Sequence, residues 1–239
     1  MRIDIIATVN EVKHEDILNK TVIIIDVLRS STTIITALAR RCECVIPVET
    51  LGQAKMLEGH DNYFFAGERY CKKIPGFDFN NSPTEIYQSN LENKTLVIST
   101  TNGTKAIQKV DKSSMTLIAG FVNLQRIARF ISTHQNHVTL LCAGTRGEFA
   151  IEDGLAAGAL VHELSLLDSR LEISDFARAM MSAYLFEQNH IKERLMVSTT
   201  GKRLCQMGYE QDIIFCSQEN FFPIIPIVQK DRIFVHPFS

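Results

Sequence analysis

The stretch "CAGTRGEFAIEDGLAAGALV" (Cys142–Val161) sets four glycines, one arginine and three carboxylates among small apolar residues. Two chemistries fit it. In the first, Gly144 and Gly147 make a tight turn, Glu152 and Asp153 face the positive end of a helix, and Gly154, Ala157 and Gly158 let that helix lie against a sheet. In the second, Arg146 and loose backbone N–H groups receive an anion while Glu152 or Asp153 ligates a metal. Adjacent carboxylates at a helix start can share a hard cation through oxygen.

The stretch "IIIDVLRSSTTI" is more specific. Asp26 follows the apolar run Val22–Ile25, where an unpaired carboxylate is costly, so it requires a cation, a proton or several N–H donors. Arg29 comes three residues later, and Ser30, Ser31, Thr32 and Thr33 open the next helix. Capping that helix needs one or two hydroxyls. Four in a row beside an arginine fit a helix amino terminus that receives phosphate or carboxylate.

"STTNGTKAI" repeats the theme with Thr100, Thr101, Asn102, Gly103 and Thr104, although Asn-Gly is also a tight-turn dipeptide. "GERYCKKIPGFDFNNSPTE" offers Glu68, Arg69, Lys72, Lys73 and Asp78 in a loop, then Ser82 as an N-cap with Pro83 at the first helical position. A merely solvated charged loop leaves Gly67 and Gly76 unexplained.

Other chemistries fail on spacing. Asp26 has no second aspartate two residues on, Cys142 and Arg146 are too close for a C-x5-R phosphatase, and no P-loop is present. The six cysteines include no C-x-x-C pair. Cys42 and Cys44 read as core, and His134 and His137 as solvent-facing.

Near-continuous apolar runs ("TVIIIDV", "CECVIPV", "TLVIST", "MTLIAGF", "VTLLCAG") alternate with segments of helical period. This predicts an α/β fold with a mostly parallel sheet covered by helices on both faces, a three-layer α/β/α arrangement. After Ser169 the pattern is more helical, with a late strand expected at "DIIFC". The chain reads as a single catalytic unit, 1–239; a division into two lobes would fall near 110–125. In open α/β sheets ligands sit beyond the carboxyl ends of the strands. The ends near Asp26, Thr100 and Gly144 are therefore expected to converge on one pocket.

Hydrophobic residues make up 45% and charged residues 22% of the 239, and the formal charge is −2. No global field favours nucleic acid or an anionic membrane, so an anion must be held by local cations. "MRIDIIATVN" reads as a first strand rather than a secretory segment. No apolar run approaches the roughly 18 residues of a membrane helix. The expected place is the cytoplasm, and the expected partners are a small anionic substrate and at most further copies of the chain.

"DVLRSSTTI", "GER…GFDFNNSP", "TTNGT", "CAGTRGEFAIEDGLAAGAL" and "TTGKRLCQMGYEQDI" occur in the order seen in the 2-phosphosulfolactate phosphatase (ComB-like) family, which the chain resembles from end to end. The resemblance implies a Mg²⁺-dependent phosphatase releasing phosphate from 2-phospho-3-sulfolactate, a step of coenzyme M biosynthesis in methanogens. On that basis Asp26, Arg29 and Arg146 are the expected catalytic residues. Ser30, Ser31, Thr32, Arg69, Thr100, Thr101, Asn102, Gly103, Thr104 and Gly144 are expected to hold substrate, with one of Lys72, Lys73 or Lys105. Asp26, Glu68, Glu152 and Asp153 form the pool of Mg²⁺ ligands.

Asp26 or Cys142 could take the phosphoryl group in place of direct attack by water. Tyr70 and Cys71 stand where the family usually has small residues. Two alternatives remain: a phosphatase of another small phosphorylated hydroxyacid, and a non-catalytic small-anion sensor.

Overall fold

The computed structural model describes residues 1–134 and 136–239. Its strands are β1 (Arg2–Ile6), β2 (Thr21–Ile25), β3 (Cys44–Pro47), β4 (Tyr63–Arg69), β5 (Lys72–Lys73), β6 (Thr95–Ser99), β7 (Met115–Ala119), β8 (Val138–Cys142), β9 (Glu172–Ile173), β10 (Pro226–Gln229) and β11 (Arg232–Val235). The helices before β8 are α1 (His14–Ile17), α2 (Ser30–Ala39), α3 (Leu51–Lys55), α4 (Pro83–Gln88), α5 (Gly103–Lys109) and α6 (Leu124–Ser132). Then come α7 (Ile151–Leu167), α8 (Asp175–Glu187), α9 (Ile191–Val197), α10 (Thr199–Gln206) and α11 (Glu210–Cys216). The expected mixed α/β fold, with helices covering a large sheet and a helical carboxyl-terminal part, is what the chain forms.

The strand order is β5-β4-β6-β3-β11-β10-β7-β2-β8-β1-β9. Two parallel groups, β4-β6-β3 and β7-β2-β8-β1, flank the antiparallel hairpin β10–β11. Because the hairpin pairs antiparallel on both sides, the two groups run in opposite senses. In a flat sheet the carboxyl ends of β2 and β6 would lie at opposite edges. Twist of about 20–25° per strand pair accumulates across the intervening strands, and the two ends meet: the Ser30 hydroxyl donates to Thr100 Oγ1 at 2.9 Å.

Helix α2 sits inside this curve. Its residues from Ser30 to Leu38 are all buried. Ile34, Ile35 and Leu38 share a core with Val22 and Ile24 of β2, Leu96 and Ile98 of β6, and Ile233 of β11. The other face of β2, Ile23 and Ile25, packs with Ile127, Leu155 and Leu160 from α6 and α7. Burial of each such side chain contributes about 1.5–3 kcal/mol. The segment 110–125 carries β7, which pairs directly with β2.

Two elements differ from the sequence reading. "DIIFC" belongs to helix α11, not a strand. A short apolar run fits either state, and here Asp212, Ile213 and Cys216 turn one helical face inward. The loop read at "GER…" begins as strand β4, whose pairing with β6 runs through Gly67 opposite Ser99. Gly67 has no room for a side chain, since a Cβ there would meet the Ser99 carbonyl at 2.5 Å. Ser82 does cap α4, accepting from Glu85 N–H, with Pro83 at the first turn. Cys42 and Cys44 are core residues. Among the described residues, no helix is long and apolar enough to cross a membrane.

Candidate active site

One cavity lies where the three strand ends meet. Asp26, Arg29 and Ser30 follow β2; Thr100, Thr101 and Asn102 follow β6; Gly144, Thr145 and Arg146 follow β8. Glu68 comes from the end of β4, Tyr70 and Cys71 from the β4–β5 turn, Asn81 from the lead into α4, and Thr200 and Arg203 from α10.

Asp26 organises the start of α2. Its Oδ1 accepts from Ser30 N–H at 3.3 Å, its carbonyl from Ser31 N–H at 2.8 Å, and its own N–H donates to Ser31 Oγ at 2.9 Å. Burial raises its pKa from 3.8 to about 7; the Ser30 N–H opposes this, and Glu68 and Glu152 reinforce it. Gly103 is what lets the starts of α5 and α2 approach: a Cβ there would meet Ser30 Cβ at 2.5 Å and Asp26 Oδ2 at 2.9 Å.

The other carboxylates are tied to backbone. Glu68 Oε1 accepts from Thr101 N–H at 2.9 Å and its hydroxyl at 2.8 Å, while Oε2 accepts from Cys71 N–H at 2.7 Å. Asp153 accepts from Val27 N–H at 2.8 Å and Gly144 N–H at 3.0 Å, pinning the ends of β2 and β8 together. Burial, then the neighbouring Asp26 and Glu152, push its pKa well above the usual carboxylate range. Glu152 is buried and opens on an adjoining cavity. Thr145 and Thr200, whose hydroxyls share a hydrogen bond at 3.0 Å, line both cavities. Of the expected metal ligands, Asp26 and Glu68 therefore line the main cavity, and Glu152 and Asp153 stand behind its wall.

The arginines divide by what they touch. Arg29 is buried, pairs with Asp212 Oδ2 at 2.5 Å and lies 4.6 Å over the Tyr209 ring. Asp212 is held in turn by the Ser82 hydroxyl at 2.7 Å and by Thr84. Arg69 departs from its expected anion-holding place. Its guanidinium donates to the carbonyls of Glu68, Ser99 and Glu49 and to Ser99 Oγ, locking the ends of β4 and β6. Arg146 is exposed, 5.6 Å from the Tyr70 ring.

Three other expected substrate contacts also turn away from the cavity. The Ser31 hydroxyl takes the Asp26 N–H, Thr32 Oγ1 donates to the Val27 carbonyl at 3.0 Å, and Thr104 Oγ1 donates to the Thr100 carbonyl at 3.0 Å. Helix periodicity leaves only Ser30 of the four hydroxyls after Arg29 facing the cavity. Lys72, Lys73 and Lys105 are exposed and do not line it. Cys142 is fully buried, its thiol pushed well up by burial, and lies outside the cavity.

Sequence reading gave no role to Asn81, Thr200, Arg203 or Asp212. The last three lie in "TTGKRLCQMGYEQDI", where helical spacing sets Thr200 and Arg203 on one face. The Asn81 Oδ1 is buried without a partner among the described residues, an oxygen left for a ligand or water.

A family profile described as 2-phosphosulpholactate phosphatase matches residues 6–231. The chain is 34% identical over 228 residues to a protein of Clostridium tetani (strain Massachusetts / E88), covering 95% of this chain and 97% of that one. It is 35% identical over 222 residues to one of Caldanaerobacter subterraneus subsp. tengcongensis, covering 92% of each. It is 37% identical over 207 residues to one of Thermotoga petrophila, covering 87% and 88%. Each is named "Probable 2-phosphosulfolactate phosphatase". With five motifs in order and a profile match over nearly its whole length, the chain belongs to the 2-phosphosulpholactate phosphatase family.

Proposed function

We propose that the enzyme hydrolyses 2-phospho-3-sulfolactate to 3-sulfolactate and phosphate, with Mg²⁺ as its metal. The observation that carries this reading is the meeting of buried carboxylates and guanidiniums in one cavity. A sensor of anions would need the arginines but has no use for Asp26 and Glu68.

The donor set fits Mg²⁺, which takes oxygen ligands, keeps several waters and commonly uses one or two carboxylates plus a substrate phosphate. Among the described residues no three acidic, histidine or cysteine side chains close into a metal cage. Asp26 and Glu68 would hold the Mg²⁺, and the unpartnered Asn81 Oδ1 offers an acceptor for its waters. When bound, Mg²⁺ supplies charge neutralisation at the phosphoryl oxygens and activation of a water.

The chain's own groups do the rest. Ser30, Thr100 and Asn102 stand at the starts of α2 and α5, where hydroxyls and helix-end N–H groups receive phosphate oxygens. Arg29, fixed by Asp212 and Tyr209, presents a preoriented edge to the cavity. The burial of Cys142 leaves a water or the Asp26 carboxylate as the attacking group. All six cysteines are free and five are buried, which fits a reducing compartment such as the cytoplasm.

The test is a phosphate-release screen of short phosphorylated acids, with Mg²⁺ and after chelation. The reading expects 2-phospho-3-sulfolactate to lead the series. Preference for a sulfur-free hydroxyacid phosphate would move the assignment to the alternative phosphatase.

A further inference from the structure

The phosphate and metal of the proposed reading leave Arg203 unaccounted for. This side chain is half-buried, lines the cavity and has no carboxylate partner among the described residues. Of the guanidiniums lining the cavity, Arg29 is paired with Asp212, whereas among the described residues neither Arg146 nor Arg203 has a carboxylate within ion-pair distance. A second ligand group besides the phosphate therefore has somewhere to go.

Arg203 is also held firmly, which distinguishes it from the loop-borne, exposed Arg146. Its helix α10 is capped by Ser198, whose hydroxyl accepts from Gly201 N–H at 3.0 Å. Gly201 sits so close to α9 that a Cβ there would meet the Leu195 carbonyl at 1.8 Å. One turn ahead of Arg203, Thr200 bonds Thr145 of the loop after β8 at 3.0 Å. These contacts fix α10 against the cavity wall, with the guanidinium beside the Cys71 thiol. A fixed, half-desolvated fork of N–H donors suits an oxyanion with several equivalent oxygens better than a flexible ammonium does.

We propose that Arg203 is a specificity-determining residue that receives the sulfonate of the substrate. This rests on the substrate reading above and deepens it. The phosphate lies at the α2 and α5 starts beside Asp26. The sulfonate, one bond farther from the ester carbon than the carboxylate, reaches the α10 wall. Arg146, on the adjoining loop after β8 and near Tyr70, is left for the carboxylate.

The experiment compares kcat/KM for 2-phospho-3-sulfolactate and 2-phospholactate, which lacks only the sulfonate, in the wild type, Arg203→Met and Arg203→Lys. Loss of a charged hydrogen-bonding group is expected to lower the ratio of the two about 10- to 100-fold in Arg203→Met, chiefly through KM of the sulfonated substrate. Arg203→Lys should fall between. A ratio unchanged in both variants, with wild type active on both compounds, overturns the Arg203 assignment while leaving the phosphatase reading intact. A wild type that releases phosphate from neither compound overturns the substrate reading and this inference with it. Unchanged thermal unfolding of both variants checks that losing the contact with the Cys71 thiol leaves the fold intact.

Discussion

The Ser30 hydroxyl donates to Thr100 Oγ1 at 2.9 Å, joining helix starts that follow two strands running in opposite senses. Everything the site needs depends on that approach. Asp26 sits beneath it, Glu68 is bonded to the next residue, Thr101, and Asn102 Nδ2 reaches the Gly144 carbonyl at 3.0 Å.

Gly103 keeps the approach open, so Gly103→Ala is expected to force Ser30 and Asp26 away. The crowding should lower stability by about 1–3 kcal/mol and turnover by at least about a hundredfold, as misplacement at a catalytic centre does. Denaturant unfolding and a turnover assay measure the two. A variant with normal turnover would show that the contact between the helix starts is not needed.

The buried pair of Arg29 and Asp212 makes a separable prediction. Asp212→Ala strands a buried guanidinium and should cost about 3–5 kcal/mol. The double variant Arg29→Met/Asp212→Leu should recover most of that stability without recovering activity, because the cavity then lacks Arg29. Recovery of activity along with stability would make Arg29 a structural residue only.

Much of this site was legible in the sequence, for a local reason. Asp26, Thr100 and Gly144 each end an apolar run, and strand ends in α/β sheets collect ligands whatever the strand order. What was not legible is what the chain brings together from afar. Arg29 and Asp212 are 183 residues apart, and no local pattern marks them as partners. Ser31 and Thr32 read as phosphate ligands because a run of hydroxyls does not reveal which one faces outward. "DIIFC" read as a strand because its apolar length suits both states. The hairpin β10–β11 that reverses the sheet could not be inferred from "FFPIIPIV", whose prolines obscure the strand pattern.

Asp26 makes stability depend on pH in a stated direction. Its pKa is raised by burial from 3.8 to about 7, so between those values the folded state holds a proton that the unfolded state has lost. Without metal, stability should fall as pH rises through this window, by up to about 1.4 kcal/mol per pH unit. Denaturant midpoints in chelator at about pH 5 and about pH 7.5 test this, with Asp26→Asn expected to give a flatter profile. Equal slopes in the two proteins would contradict it.

Cys142 should be dispensable for the chemistry. Cys142→Ala removes a fully buried thiol and should cost about 1 kcal/mol as a small cavity, with turnover within about threefold of wild type. Loss of turnover in a folded variant would bring the thiol back as an attacking group.

On the proposed reading, Asp26 makes this cavity a Mg²⁺-dependent phosphatase site. Phosphate release from 2-phospho-3-sulfolactate, followed as Mg²⁺ is titrated into metal-free wild type and Asp26→Asn, tests it most directly. Wild type is expected to show no turnover without metal and saturation as Mg²⁺ is added. Asp26→Asn is expected to show a maximum lower by at least about a hundredfold and a half-saturating Mg²⁺ concentration raised by about tenfold or more. A nucleophilic Asp26 would keep the loss of turnover but leave the Mg²⁺ midpoint unchanged, removing its metal role. An Asp26→Asn curve that overlays wild type in both height and midpoint would contradict the claim outright.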